Sequence, residues 1–150
     1  MTEPVSKTRL RLWLRLLKAS RKVEAELRER LRVEFGSTLP RFDVMAALSR
    51  HAEGLKMSEL SGVLRVSNGN VTVVVDRLAE DGLAERVKVP GDRRAARARL
   101  TKKGAKEFAR QARAHEAWID ELFRDVPAGR AERLTGLLAD VAEATAERVG

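Results

Sequence analysis

The side chains best suited to chemistry here are those that grip nucleic acids, not those that cut bonds. Ser67-Asn68-Gly69-Asn70 precedes a valine-rich helical pattern, and Asp92-Arg93-Arg94 precedes Arg97 and Arg99. Amides and hydroxyls hydrogen-bond base edges, whereas guanidinium groups pair with phosphates or enter a narrow minor groove. Catalytic constellations are missing. The two histidines, His51 and His115, stand far apart, with no HExxH, GxSxG or glycine-rich phosphate loop around them. Cysteine and tyrosine are absent altogether, which removes disulfides, thiolate metal sites, thiol nucleophiles and a phenolic acid. The expectation is no enzyme, no catalytic residue, no metal and no cofactor.

Charge points the same way. The formal net charge is +8, from 30 basic and 22 acidic residues. Residues 4–23 hold seven basic side chains and no acid, and residues 86–106 hold nine against Asp92 alone. Two positive patches on a near-neutral frame suit a polyanion, because neutralised phosphates release condensed counterions. Solvated helix faces account equally well for such patches when composition is the only guide. A basic hairpin by itself would also suit RNA or an acidic protein. Aromatics are only 4% of the chain, too few for the stacking by which RNA readers work, and this favours duplex DNA. No apolar run approaches a membrane span, and no signal peptide opens the chain, so the expected setting is cytoplasmic without a membrane partner.

These residues need elements to hold them. Leu10, Trp13, Leu14, Leu17, Leu27, Leu31 and Phe35 recur at helical steps and predict a long helix over 7–34, stopped by Gly36. Pro40 opens a second helix with Phe42, Met45 and Leu48 inward, ending near Gly54. A short third helix carries Met57, Leu60 and Leu64. Ser67 is the expected N-cap of a fourth, with Val71, Val74, Val75 and Leu78 on its inner face. Gly69, Asn70, Thr72, Val73, Asp76 and Arg77 then form its outer face. Gly69 permits close approach, and free N–H groups at 68–70 suit a phosphate. Val87 and Val89 alternate with charge, Pro90-Gly91-Asp92 is a turn, and Arg97–Leu100 returns as the second strand of a hairpin. Asp92 reads as an acid that orients an arginine of this hairpin. A fifth helix follows Thr101, with Ala105, Phe108, Ala112, His115, Ile119 and Leu122 along it. Pro127 starts a sixth, with Leu134, Leu138, Val141 and Thr145 along it.

The outline is α-α-α-α-β-β-α-α: mainly α with a small β-hairpin wing, a winged helix-turn-helix plus terminal helices. One domain spans 1–150, with a DNA-binding core at 37–100 and dimerisation helices at 5–35 and 101–150. Narrow apolar seams usually meet another helix, and the small central unit cannot cover all three, so a homodimer is expected.

Three blocks carry a family likeness. Val71-Thr72-Val73-Val74-Val75-Asp76-Arg77-Leu78-Ala79-Glu80-Asp81-Gly82-Leu83, Gly91-Asp92-Arg93-Arg94 and Leu100-Thr101-Lys102-Lys103-Gly104 resemble the MarR family signature. The resemblance implies a triangular dimer that places two recognition helices in a near-palindromic double-stranded operator. By position it sets Ser67, Asn68, Gly69, Asn70, Thr72 and Val73 in the major groove and Arg77 on backbone phosphate. Arg94, beside Arg93, would enter the minor groove, with Asp92 orienting the wing. Gly69, Asn70 and Val73 depart from the residues common in the family, so the operator sequence is left open.

A narrower likeness lies in Arg9–Leu17, Leu39-Pro40-Arg41-Phe42-Asp43 and Ser67–Thr72, which are similar to a subgroup controlling aromatic-acid degradation. It implies a repressor released by a small effector, an aromatic carboxylic acid or its coenzyme A thioester. Trp13 and Phe42 would then line an aromatic pocket, and Arg11, Arg15, Arg32 or Arg41 would meet the anionic groups. Taken singly, Trp13 serves equally as interface core and the arginines as solvated charge.

Overall fold

The structure is a computed structural model that describes residues 2–150, the side chains of 93–95 excepted. Its elements run α1 (Val5–Phe35), α2 (Leu39–Ser49), β1 (Leu55–Lys56), α3 (Met57–Ser67), α4 (Val71–Glu80), β2 (Ala84–Val89), β3 (Asp92–Leu100), α5 (Lys102–Leu122) and α6 (Ala128–Val149). The chain divides into two compact units, one ending at Glu116 and the other comprising Ala117–Gly150.

Local chemistry sets most boundaries. α1 stops at Gly36, whose φ of 59° is left-handed and whose N–H satisfies the carbonyl of Arg32. Thr38 caps α2 by accepting the N–H of Arg41, and Pro40 occupies its first turn, where no N–H is needed. The sequence predicts that α2 runs to Gly54. It ends instead at Ser49, and His51–Gly54 closes a turn in which the Gly54 N–H reaches the His51 carbonyl at 2.9 Å. A third strand then appears that periodicity does not announce. β1 is two residues long, too short to alternate, and pairs antiparallel with Ala98 and Arg97 of β3. The sheet order is β1-β3-β2, and β3 begins at Asp92 rather than Arg97.

The core of the first unit lies among α2, α3, α4 and the sheet. Val44, Met45, Leu48, Leu60, Leu64, Val74, Val75, Leu78, Leu83, Ala84 and Ala98 form one buried cluster. Each large member contributes about 1.5–3 kcal/mol by leaving water. α5 keeps Phe108, Ala112, His115 and Ile119 of the expected stripe half-buried, but its most buried residues lie one position to the side. Gly104, Gln111 and Trp118 are buried, while Ala105 is exposed. The register is fixed by Gly104, which sits against the Leu83 backbone.

The terminal helices keep apolar faces uncovered. α6 buries no residue, and Leu134, Leu137, Leu138 and Val141 all stand exposed, as do Leu10, Leu12, Trp13 and Leu14 on α1. Among the described residues no helix is long and apolar enough to cross a membrane.

Candidate nucleic-acid interface

α3 and α4 are joined by a tight turn, and the turn differs from the one expected. Ser67 is not the cap of α4. It is the last residue of α3, it is buried, and its hydroxyl lies beside the Asp43 carboxyl of α2. Asn68 ends α3 in the left-handed conformation, φ 55°, which asparagine tolerates better than most residues. Asn70 caps α4: its Oδ1 accepts the N–H groups of Thr72 at 3.0 Å and Val73 at 3.3 Å. The phosphate-binding N–H groups expected at 68–70 are in part already used. Those of Asn68 and Gly69 both turn back to the Leu64 carbonyl.

α4 itself is divided as its spacing predicts. Val74, Val75 and Leu78 are buried, and Thr72, Val73, Asp76 and Arg77 face solvent beside the exposed Asn68, Gly69 and Asn70. Two ion pairs fix this helix. Arg86 of β2 donates to Asp76 at 2.7 Å, and Arg41 of α2 donates to Asp81, its C-cap, at 2.5 Å. Periodicity gives no hint of either, because each joins elements through charged residues that read as solvated. On the hairpin, Arg99 is engaged by Glu85 across the strands at 2.6 Å and Arg97 is half-buried. Asp92 is exposed at the start of β3, opposite Val89. The side chains of Arg93 and Arg94 lie outside what the structure describes.

The six effector candidates fall into separate places. Arg32 and Arg41 line one groove of about 650 Å³, together with Arg28, Pro40, Asn68 and Arg77. Arg32 is engaged by Glu29, whose carboxyl it holds below the ordinary range, and Arg41 by Asp81. Phe42 is buried, stacked on His115 with centroids 4.6 Å apart and tilted against Phe108 at 5.6 Å. Trp13, 53% exposed, and Arg11, paired with Glu3 at 2.8 Å, lie about 30 Å from Arg32 by helical rise. Arg15 lines a shallow basic depression with Lys18 and Lys22.

Burial pushes the His115 imidazole below its ordinary value. Its neutral form is therefore favoured by folding, and stability drops as pH falls below about 6.5, where the unfolded chain takes up the proton first. His115→Phe preserves a ring against Phe42 and cannot titrate. Calorimetry between pH 7 and 5 should show a smaller fall in unfolding temperature for this variant than for the wild type; equal slopes would refute the assignment.

Comparison with known proteins places this geometry. A family model described as MarR family matches residues 35–95. The crystal structure of a MarR family transcriptional regulator from Silicibacter pomeroyi is similar at 34% identity, covering 96% of this chain and 99% of that one, with a TM-score of 0.78. BldR from Sulfolobus solfataricus, at 24% identity, shares the fold over 95% and 99% of the two chains, with a TM-score of 0.80. A mutant MarR from E. coli, solved in complex with operator DNA, is 26% identical over 93% of this chain and 99% of that one, with a TM-score of 0.73. No curated protein sequence matches. With its helix-turn-helix, its three-stranded wing and this likeness along nearly its whole length, the chain belongs to the MarR family, whose members are DNA-binding transcription regulators rather than enzymes.

Proposed function

We propose that this protein acts as a homodimer that sets two α4 helices into successive major grooves of a near-palindromic operator. The observation that carries the reading is the outer face of α4, a capped helix presenting Thr72, Val73 and Arg77 to solvent while its valines are locked in the core. Half-site centres would lie about 34 Å apart. Asn68, Thr72 and Val73 meet base edges, Arg77 meets phosphate, and Arg93 and Arg94 reach the minor groove with Asp92 orienting the wing. The chain works in the cytoplasm, where its DNA is. A titration against duplexes and structured RNA at one salt concentration tests this. Equal affinity for both removes the operator reading in favour of a basic RNA- or protein-binding module.

Asn70 separates two roles within that face. Its oxygen is committed to the cap, so Asn70→Ala removes about 1 kcal/mol from the start of α4. Operator affinity then falls by a similar factor for all sequence variants of the site, and Asn70→Ser restores it by capping again. A selection experiment in which Asn70→Ala relaxes preference at a single base pair would instead assign Asn70 to direct base reading.

The protein is a repressor released by a small aromatic carboxylic acid or its coenzyme A thioester. The groove beside Arg28, Arg32 and Arg41 supports this: it is large enough for such a molecule and lined by cations with an apolar floor of Leu39, Pro40 and Val74. The effector changes operator affinity only through its differential affinity for the two states of the dimer, and DNA must weaken effector binding by the same factor. Thermal-shift screening with aromatic acids and their thioesters, followed by DNA release for each hit, tests this; no shift with any of them sinks it.

A further inference from the structure

Gly69 has a reason to be glycine that does not involve DNA. Its φ lies outside the left-handed region, so the backbone does not demand it. What excludes a side chain is α2. A Cβ at Gly69 would stand 3.0 Å from the Pro40 Cβ, 3.3 Å from its Cγ and 3.5 Å from a Leu64 methyl. The missing side chain therefore points back into the protein. One turn further along α2, Asp43 lies near buried Ser67, at the other end of the Ser67–Gly69 turn. Pro40 is a stiff anchor, its ring fixed in the first turn of a helix whose start is set by Gly36 and the Thr38 cap.

We infer that Pro40 against Gly69 is a positioning contact: the first turn of α2 sets how far the N-terminal end of α4 projects. Neither residue needs to touch DNA for this role. The recognition helix takes its place from the α1–α2 joint, so a shift of that joint is carried to the reading residues through one stiff contact. The inference rests on α4 being the reading helix.

The test is a swap in the full-length protein. Gly69→Ala requires α2 or the turn to give by a few tenths of an ångström. It should weaken binding to a selected operator about three- to tenfold, while affinity for an unrelated duplex at the same salt stays unchanged. Pro40→Gly opens the space, so Pro40→Gly/Gly69→Ala should bind the operator within about twofold of Pro40→Gly alone, a non-additive cycle. Unfolding temperatures of all variants establish that the fold persists; should Gly69→Ala unfold, Gly69→Ser in the Pro40→Gly background supplies the same comparison. Wild-type affinity in Gly69→Ala overturns the contact, and so does an additive cycle, which would mean that the glycine serves DNA directly. A wild-type protein with no preference among duplexes overturns the reading of α4 itself.

Discussion

Glutamate at both Leu134 and Leu138 should convert the protein to monomers and lower operator affinity by a factor of about 10² to 10⁴. The two leucines are an i, i+4 pair on α6, 49% and 46% exposed, with Leu137 and Val141 beside them. An apolar helix side that buries nothing suits a partner, and the homodimer proposed above would supply one together with the second reading head. Placing four carboxylates in the resulting seam costs far more than the apolar area they replace, because each would be desolvated without a cation. The single chain loses little, since both positions are exposed in it. The magnitude follows from linkage: once one half-site is bound, the second meets its groove at an effective concentration in the millimolar range, and a monomer forfeits that factor. Analytical ultracentrifugation gives the mass and fluorescence anisotropy the affinity. A double variant that remains dimeric and binds as tightly as wild type would move the dimer seam elsewhere.

The sequence makes the helical half of this architecture legible and leaves the joints obscure, for a physical reason. Val71, Val74, Val75 and Leu78 recur at one spacing over a whole helix, so several residues carry the same signal. Ser67-Asn68-Gly69-Asn70 offers three residues able to cap, and local chemistry cannot choose among them. The choice is made by the packing that buries Ser67 as the last residue of α3, and by Asn68, which accepts a left-handed backbone and so postpones the start of α4 to Asn70. Burial pushes the Asp43 carboxyl up, an effect the Ser67 hydroxyl partly offsets. β1 exists only because β3 offers it an edge. The effector candidates show the same limit. Arginines at 11, 15 and 32 share a helix and a composition, yet the first two are separated from the third by most of its length.

The most severe single change expected is the smallest, Gly104→Ala. In the first turn of α5, alanine would ordinarily stabilise the helix by about 1 kcal/mol over glycine. Here its Cβ would stand 1.8 Å from the Leu83 carbonyl oxygen and 2.8 Å from the carbonyl carbon. Both atoms are backbone, so no rotamer change relieves the clash. Nor can Leu83 move alone. Its N–H donates to the Leu78 carbonyl at 2.8 Å, its own carbonyl accepts from Thr101 at 3.1 Å, and the Thr101 hydroxyl both donates to Gly82 at 2.6 Å and accepts the Gly104 N–H at 3.0 Å. The end of α4, both wing strands and the start of α5 meet in this knot, and opening it breaks several hydrogen bonds together. A loss of about 3 kcal/mol or more is expected, at the upper end of what overpacking costs. Gly62→Ala is the control, because it lies in α3 with nothing within 4 Å of the added carbon, and it should gain about 0.5–1 kcal/mol. Urea unfolding of the two variants beside wild type decides the matter: opposite signs support the steric account, and a Gly104→Ala protein as stable as the wild type refutes it.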